Sequence, residues 1–266
     1  MLGAIQVTGG FCPEARQFFA RAGALDGRHK RAYDRMIRTL IRGGVWSTLD
    51  CFYVFATATS AAALTNIVRS SFTATATNSP TFTADAGYLA ANSGDKYVDS
   101  NYNPSTQAIN VTASSMAVGV WVTSFTANDR AAIGVNESSG TANSINIFPR
   151  LNADGKIYAR INDQSDTAGT TIATAVGYSV GTRTGTSRFV YKNGGADIAG
   201  LGSSTAGTIQ NNTLVIGVTR FDGSLAGTCY DGTIAAADMG GYRTQAQNQV
   251  MYDGLHQYLQ TIAGIA

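Results

Sequence analysis

The sequence predicts a mainly-β fold, a jelly-roll sandwich with a helical segment before it and an amphipathic helix closing it. Three observations carry that reading. Charged residues make up 14% of the 266-residue chain, against roughly 25% in an ordinary soluble domain. Gly, Thr, Ala, Ser and Asn take their place, as they do in strands and tight loops. Short β-branched and aromatic runs recur between turn dipeptides such as Asp154-Gly155 and Asn193-Gly194, while both ends of the chain carry helical periodicity instead. With 44% hydrophobic residues there is material for a core, which excludes charge-driven disorder. A net charge of +2 gives no field that would make nucleic acid the main partner.

Two unlike parts share the chain. Eight of the 19 basic residues fall between Arg16 and Arg42, and the first 50 residues contain no Asn. The shift separates a helical segment, 1–48, from a β domain, 49–266. Met1 to Gly10 lacks the basic start and apolar stretch of a secretory signal, so folding in a cytoplasm is expected. Pro13 to about Ala22 forms a short helix with Phe18 and Phe19 on its apolar side. Asp26 caps a second helix, Gly27 to about Arg42, on which Tyr33, Met36, Ile37, Leu40 and Ile41 make one stripe. Gly43-Gly44 stops it.

The basic residues of this helix lie mainly outside the stripe. They form either a solvated face or a docking surface, on which Arg31, Arg35 and Arg38 would meet a partner protein or the β domain. Aromatic interleaving suited to base stacking is lacking. Nor does any run of about 18 apolar residues occur, so membrane insertion is not expected.

The β domain opens with Val45–Phe55 as its first strand. Ser70–Phe82 alternates Thr and Ala into the turn Asn78-Ser79-Pro80, and an extended segment runs from Gly87 to about Asp99. Met116–Val122 places Met116, Val118, Val120 and Val122 on one face and Ala117, Gly119 and Trp121 on the other, both of them covered. Ile145–Arg150 and Lys156–Ile161 form a hairpin across Asp154-Gly155. Arg188–Tyr191 leads into the turn at Asn193-Gly194. Leu214–Val218 and Gly227–Ile234 read as another pair, joined around Asp222-Gly223. Thr244 and Gln247 are spaced as a capping box for a helix at about 243–263. Cys12, Cys51 and Cys229 have no metal-ligand spacing and are expected as free thiols.

From about Leu49 onward the chain resembles the concanavalin A-like, or laminin-G-like, jelly rolls. The residues concerned are Arg188–Gly195, with Tyr191, Asn193 and Gly194 in the turn, and Leu214–Gln247, with Ile216-Gly217, Asp231-Gly232 and Ile234. A wider resemblance, over Phe18–Asn66, Asn78–Tyr88 and Tyr97–Ser105, is to a group of phage and prophage virion proteins. It implies a structural component of the particle, on head, tail or baseplate, with a lectin-like module. It also implies other virion proteins as partners, a homo-oligomeric state and assembly in the bacterial host cytoplasm. No catalytic residues are transferred by it.

A paired-carboxylate glucanase site needs two neighbouring Glu, and only Glu14 and Glu137 occur. A Ser-His-Asp site needs a placed His, and His29 and His256 lie in the two predicted helices. The chain is therefore expected not to be an enzyme. Among Tyr88, Tyr97, Tyr102 and Tyr178, which lie near predicted loops with Asn92, Asn101 and Asn103, the candidates for a host-surface glycan are Tyr97, Tyr102, Asn101 and Tyr178. Their other reading is closure of the sandwich edges. No cofactor is expected beyond calcium, for which Asp95 and Asp99 are the candidates and Asp163 with Asp166 a second cluster; turn stabilisation is the competing role.

Overall fold

The computed structural model describes residues 10–90, 95–126, 129–135, 144–163, 167–196, 198, 202–218, 220–221, 224–225 and 229–265. Residues 1–9, Asn92, Glu137, Asp166 and the Asp222-Gly223 turn, all of which entered the sequence reading, lie outside the described residues.

Three layers stack: helices, a first sheet and a second sheet. The strands are β1 (Leu49–Val54), β2 (Thr75–Thr77), β3 (Thr81–Thr83), β4 (Gly87–Ala90), β5 (Tyr97–Asp99), β6 (Ser115–Val122), β7 (Ile133–Val135) and β8 (Ser144–Phe148). They continue as β9 (Lys156–Asp163), β10 (Thr167–Thr171), β11 (Gly177–Thr184), β12 (Ser187–Lys192), β13 (Val215–Ile216), β14 (Arg220–Phe221), β15 (Ser224–Leu225) and β16 (Gly232–Gly240). The first sheet runs β12-β11-β6-β16-β4-β3, with β1 also paired to β16, and the second runs β10-β9-β8-β7-β13-β5-β2. This is the two-sheet antiparallel sandwich the sequence predicts.

Strand β6 shows why. Its period-2 alternation sends Met116, Val118, Val120 and Val122 between the sheets, against Ile145, Ile147, Ile157 and Ile161, while Ala117 and Trp121 face the helices. Gly119 shares that helix-facing side. A side chain there would collide with the Tyr178 hydroxyl and come within 2.6 Å of Asp238 Oδ2, so only glycine fits.

The helical layer comprises α1 (Pro13–Phe19), α2 (Gly27–Arg42) and α4 (Gln245–Ala263), with a short α3 (Ser60–Leu64) after β1. Asp26 accepts from the His29 N–H at 2.9 Å and caps α2. Thr244 and Gln247 close a reciprocal capping box on α4. The α2 stripe of Tyr33, Met36, Ile37 and Leu40 packs with Met251, Leu255, Tyr258 and Leu259 of α4, the Tyr33 and Tyr258 rings lying 4.6 Å apart. Ile41, read as part of the stripe, sits at its edge and is 38% exposed. Arg28 donates to the carbonyls of Thr261 and Ile262, satisfying the end of α4 with a cation placed at its negative pole.

Several boundaries differ from expectation. The first predicted strand opens with a 3-10 turn at Trp46–Thr48, so β1 starts at Leu49. Ser70–Phe82 divides between the two sheets, because Asn78 and Ser79 both take left-handed backbone, φ 56° and 57°, and turn the chain. The expected pairing of Leu214–Val218 with Gly227–Ile234 is corrected. β13 pairs with β5 and β7 in the second sheet, whereas β16 lies in the first beside β1, β4 and β6. Cys12, Cys51 and Cys229 are buried thiols that form no disulfide among the described residues.

Candidate functional site

The core residues of the second sheet fix which side chains point away from it. Ile145, Ile147, Ala159, Ile161, Ile133, Ile216 and Val98 face inward. Their alternates therefore form the outward face, and the register sets them side by side: Phe148 opposite Tyr158, Asn146 opposite Arg160, Val215 between Gly134 and Asp99, and Thr75 and Thr77 beside Asp99 and Tyr97. Tyr158 and Phe148 are half-buried rings, whereas Asn146, Arg160 and Tyr97 are buried. The Tyr158 hydroxyl donates to Asp154 Oδ2 at 2.7 Å across the hairpin turn. That bond is the main reason the Asp154 carboxyl titrates below its usual range. The part-exposed groups of this face are the paired Phe148 and Tyr158 rings with Asp154 and Lys156 at the hairpin end, a patch suited to a hydroxyl-rich ligand: C–H faces stack on the rings, and hydroxyls find a carboxylate and an ammonium.

The predicted glycan residues divide around this face. Tyr97 lies on β5 but is buried, packed in a small cluster with Ala90, Val215, Val218 and Cys229. Asn101 lies at the rim of the face with φ 55°. Its amide nitrogen donates to the Thr73 carbonyl at 2.7 Å and Thr75 Oγ1 at 3.0 Å. Tyr102 and Tyr178 are corrected, because both are fully buried. Tyr102 stacks edge-on against Phe72 and donates to Asp50 Oδ2 at 2.8 Å. Tyr178 faces the helical layer and donates to Asp238 Oδ2 at 2.6 Å. Each hydroxyl is satisfied inside the fold, so neither ring is available to a ligand.

Among the described residues no further carboxylate joins Asp95 and Asp99. Asp99 accepts from the Asn101 N–H through Oδ1 and from Thr213 Oγ1 through Oδ2, and Asn101 turns its nitrogen, not its oxygen, toward neighbouring acceptors. Asp95 is exposed, and its carbonyl accepts from Asn78. No group of three His, Cys, Asp or Glu converges among the described residues. Asp163 accepts from Ser204 Oγ and pairs with Arg188 instead. On α2, Arg31 and Arg35 are exposed, while Arg38 donates to Asp34 Oδ2 and to the Gly10 carbonyl, both at 2.8 Å.

Sequence reasoning missed two buried carboxylates. Asp50, in an apolar run, accepts from the backbone of Ile109, Asn110 and Val111, the Asn110 side chain and Tyr102. Asp238 pairs with Arg243 Nη2 at 2.5 Å, and both are fully buried. Burial drives the Tyr178 hydroxyl well above its ordinary range. Burial also works against the Arg243 charge, but Asp238 and Tyr178 outweigh it and hold that charge more firmly. A lone Asp inside an apolar strand was the available signal, since an ionised side chain survives there only when paired or richly hydrogen-bonded.

No protein-family model matches the chain, and no curated protein does. Solved structures share its fold. Trypanosoma rangeli sialidase in complex with sialic acid superposes with a TM-score of 0.51 at 9% identity, over 86% of this chain and 39% of that one. A mutant of the same sialidase displaying trans-sialidase activity gives 0.50 at 10% identity, over 86% and 39%. Domain 4 of AbnA, an extracellular GH43 arabinanase from Geobacillus stearothermophilus, solved with arabinotriose, gives 0.49 at 16% identity, over 77% and 98%. This chain thus spans about two-fifths of the sialidase length. The likeness is one of fold, and it corrects the expectation that the chain is not an enzyme. The missing paired-Glu and Ser-His-Asp patterns excluded two mechanisms only, and the chains with this sandwich include sialidases, which are enzymes.

Proposed function

We propose that the chain is a carbohydrate-interacting jelly roll whose second sheet presents its outward face to a glycan. The observation that carries the reading is the pair of part-exposed rings, Phe148 opposite Tyr158, with Asp154 and Lys156 beside them at the end of the hairpin. The finer proposal is a structural component of a phage virion, assembled with other virion proteins as a homo-oligomer in the host cytoplasm and engaging a host-surface glycan. It rests on the resemblance of Phe18–Asn66, Asn78–Tyr88 and Tyr97–Ser105 to such proteins.

A glycan array of bacterial surface polysaccharides tests the first part, with product analysis of every bound sugar to read turnover. Binding that falls about tenfold in Tyr158→Ala, the loss of one stacking ring and roughly 1.4 kcal/mol, supports the face. Binding unchanged by Tyr158→Ala, or absent throughout, rejects it. Antibody labelling of purified particles tests the second part, and unlabelled particles would reject it.

A further inference from the structure

The helical layer offers a second surface, defined by charge. On α2 the arginines fall at 28, 31, 35, 38 and 42, a three-four-three-four spacing that keeps them in one line along the helix. The buried residues Tyr33, Met36, Ile37 and Leu40 hold the opposite side. With Lys30, the helix carries six cations against the single carboxylate of Asp34. Two of the five arginines are engaged within the fold: Arg28 caps α4, and Arg38 pairs with Asp34. Arg31, Arg35 and Arg42 are exposed and make no ion pair among the described residues. Like charges one turn apart repel, so the fold maintains this line against a cost.

We infer that the stripe binds an acidic linear polysaccharide, a uronate-bearing chain lying along α2. The inference rests on the carbohydrate reading above and places a different ligand class on a different face. Charge complementarity selects an anion, and the guanidinium fork matches a carboxylate with two parallel hydrogen bonds. The spacing selects the polymer. One helical turn rises about 5.4 Å, close to the length of one sugar in an extended chain. Arg35 and Arg42, two turns apart, therefore meet carboxylates two sugars apart, and Arg31 meets one a sugar before Arg35. Other anions fit less well. The stripe has no aromatic ring on which bases would stack, and a protein interface centres on apolar anchors. Ile41, the exposed large apolar residue of α2, lies at the end of the stripe and not at its centre.

Calorimetric titration of the full chain with alginate oligosaccharides, dextran oligosaccharides, single-stranded DNA and poly-glutamate tests the inference at low and moderate salt. The expected result is alginate binding that weakens as salt rises. The triple variant Arg31→Gln/Arg35→Gln/Arg42→Gln should bind alginate about tenfold more weakly, the sum of three exposed charge contacts of modest strength. Its melting temperature should not move, because the three side chains touch nothing in the core. Unchanged alginate affinity in the triple variant, or tighter wild-type binding of DNA or poly-glutamate, would overturn the inference. Tyr158→Ala separates the two readings: it should leave alginate binding intact while weakening binding at the sheet face.

Discussion

Replacing Asp238 with alanine removes one charge from a place where its partner cannot reach water. Asp238 and Arg243 are both fully buried, Nη2 to Oδ1 is 2.5 Å, and the Tyr178 hydroxyl donates to the other oxygen at 2.6 Å. The variant strands a guanidinium whose Nε and Nη1 have no hydrogen-bond partner in the described structure. Breaking a buried pair in this way costs about 3–5 kcal/mol, a fall of roughly 10 °C in melting temperature for a chain of this length. Tyr178→Phe, which removes the hydrogen bond to Asp238 and the one accepted from Arg243 Nη2, should cost at least about 1.5–3 kcal/mol. Removing both charges in Asp238→Ala/Arg243→Met should cost less than the two single variants added together, with a coupling of about 2 kcal/mol. Urea unfolding followed by tryptophan fluorescence measures all of these, because Trp121 stacks on Tyr178 at 6.2 Å and reports this layer directly. A single variant within about 1 kcal/mol of wild type, or strict additivity in the double, would refute the argument that the pair is held by mutual compensation.

Three further outcomes are expected. Asp50→Asn sets an N–H donor against the N–H groups of Ile109, Asn110 and Val111 and should cost about 3 kcal/mol; hydrogen exchange at residues 109–111 should accelerate with it. Thr244→Ala opens the capping box and should cost about 1 kcal/mol, read from the urea midpoint. Lys192 donates from Nζ to the Ala175 carbonyl at 2.7 Å and Ser179 Oγ at 3.1 Å, and burial lowers its amine from 10.5 to about 7. The folded chain therefore holds fewer protons than the unfolded chain between those values, so this group's contribution makes stability rise with pH across that window. Lys192→Met should flatten the rise, and an unchanged slope between pH 7 and 10 would count against it.

Elements governed by local periodicity were legible in the sequence. β6 could be assigned a core face and a helix face because alternation is a property of consecutive residues, and the caps at Asp26 and Thr244 could be named because they act within one turn. Partners set by the three-dimensional path were not legible. β13 joins β5 and β7 rather than the segment that follows it, and nothing within Leu214–Val218 encodes that choice. The burial of Tyr102 and Tyr178 has the same origin. Their acceptors, Asp50 and Asp238, lie 52 and 60 residues away, so rings beside loop-like sequence read as exposed. The outward face of the second sheet was invisible for a related reason: Asn146 and Arg160 become neighbours only through the register of β8 with β9.

The capping of α4 by α2 has a consequence for biogenesis. Gln247 donates to the Gly44 carbonyl across 203 residues, and Arg28 reaches Ile262 across 234. During synthesis the apolar side of α2 leaves the ribosome long before the helix that covers it. The same delay holds for the first sheet, where β16, made long after both, must slide in between β6 and β1 before either is fully paired. The nascent chain thus carries an uncovered stripe until residues 245–263 are made, a natural substrate for a holding chaperone, and a chain stopped before residue 245 would keep that stripe for good.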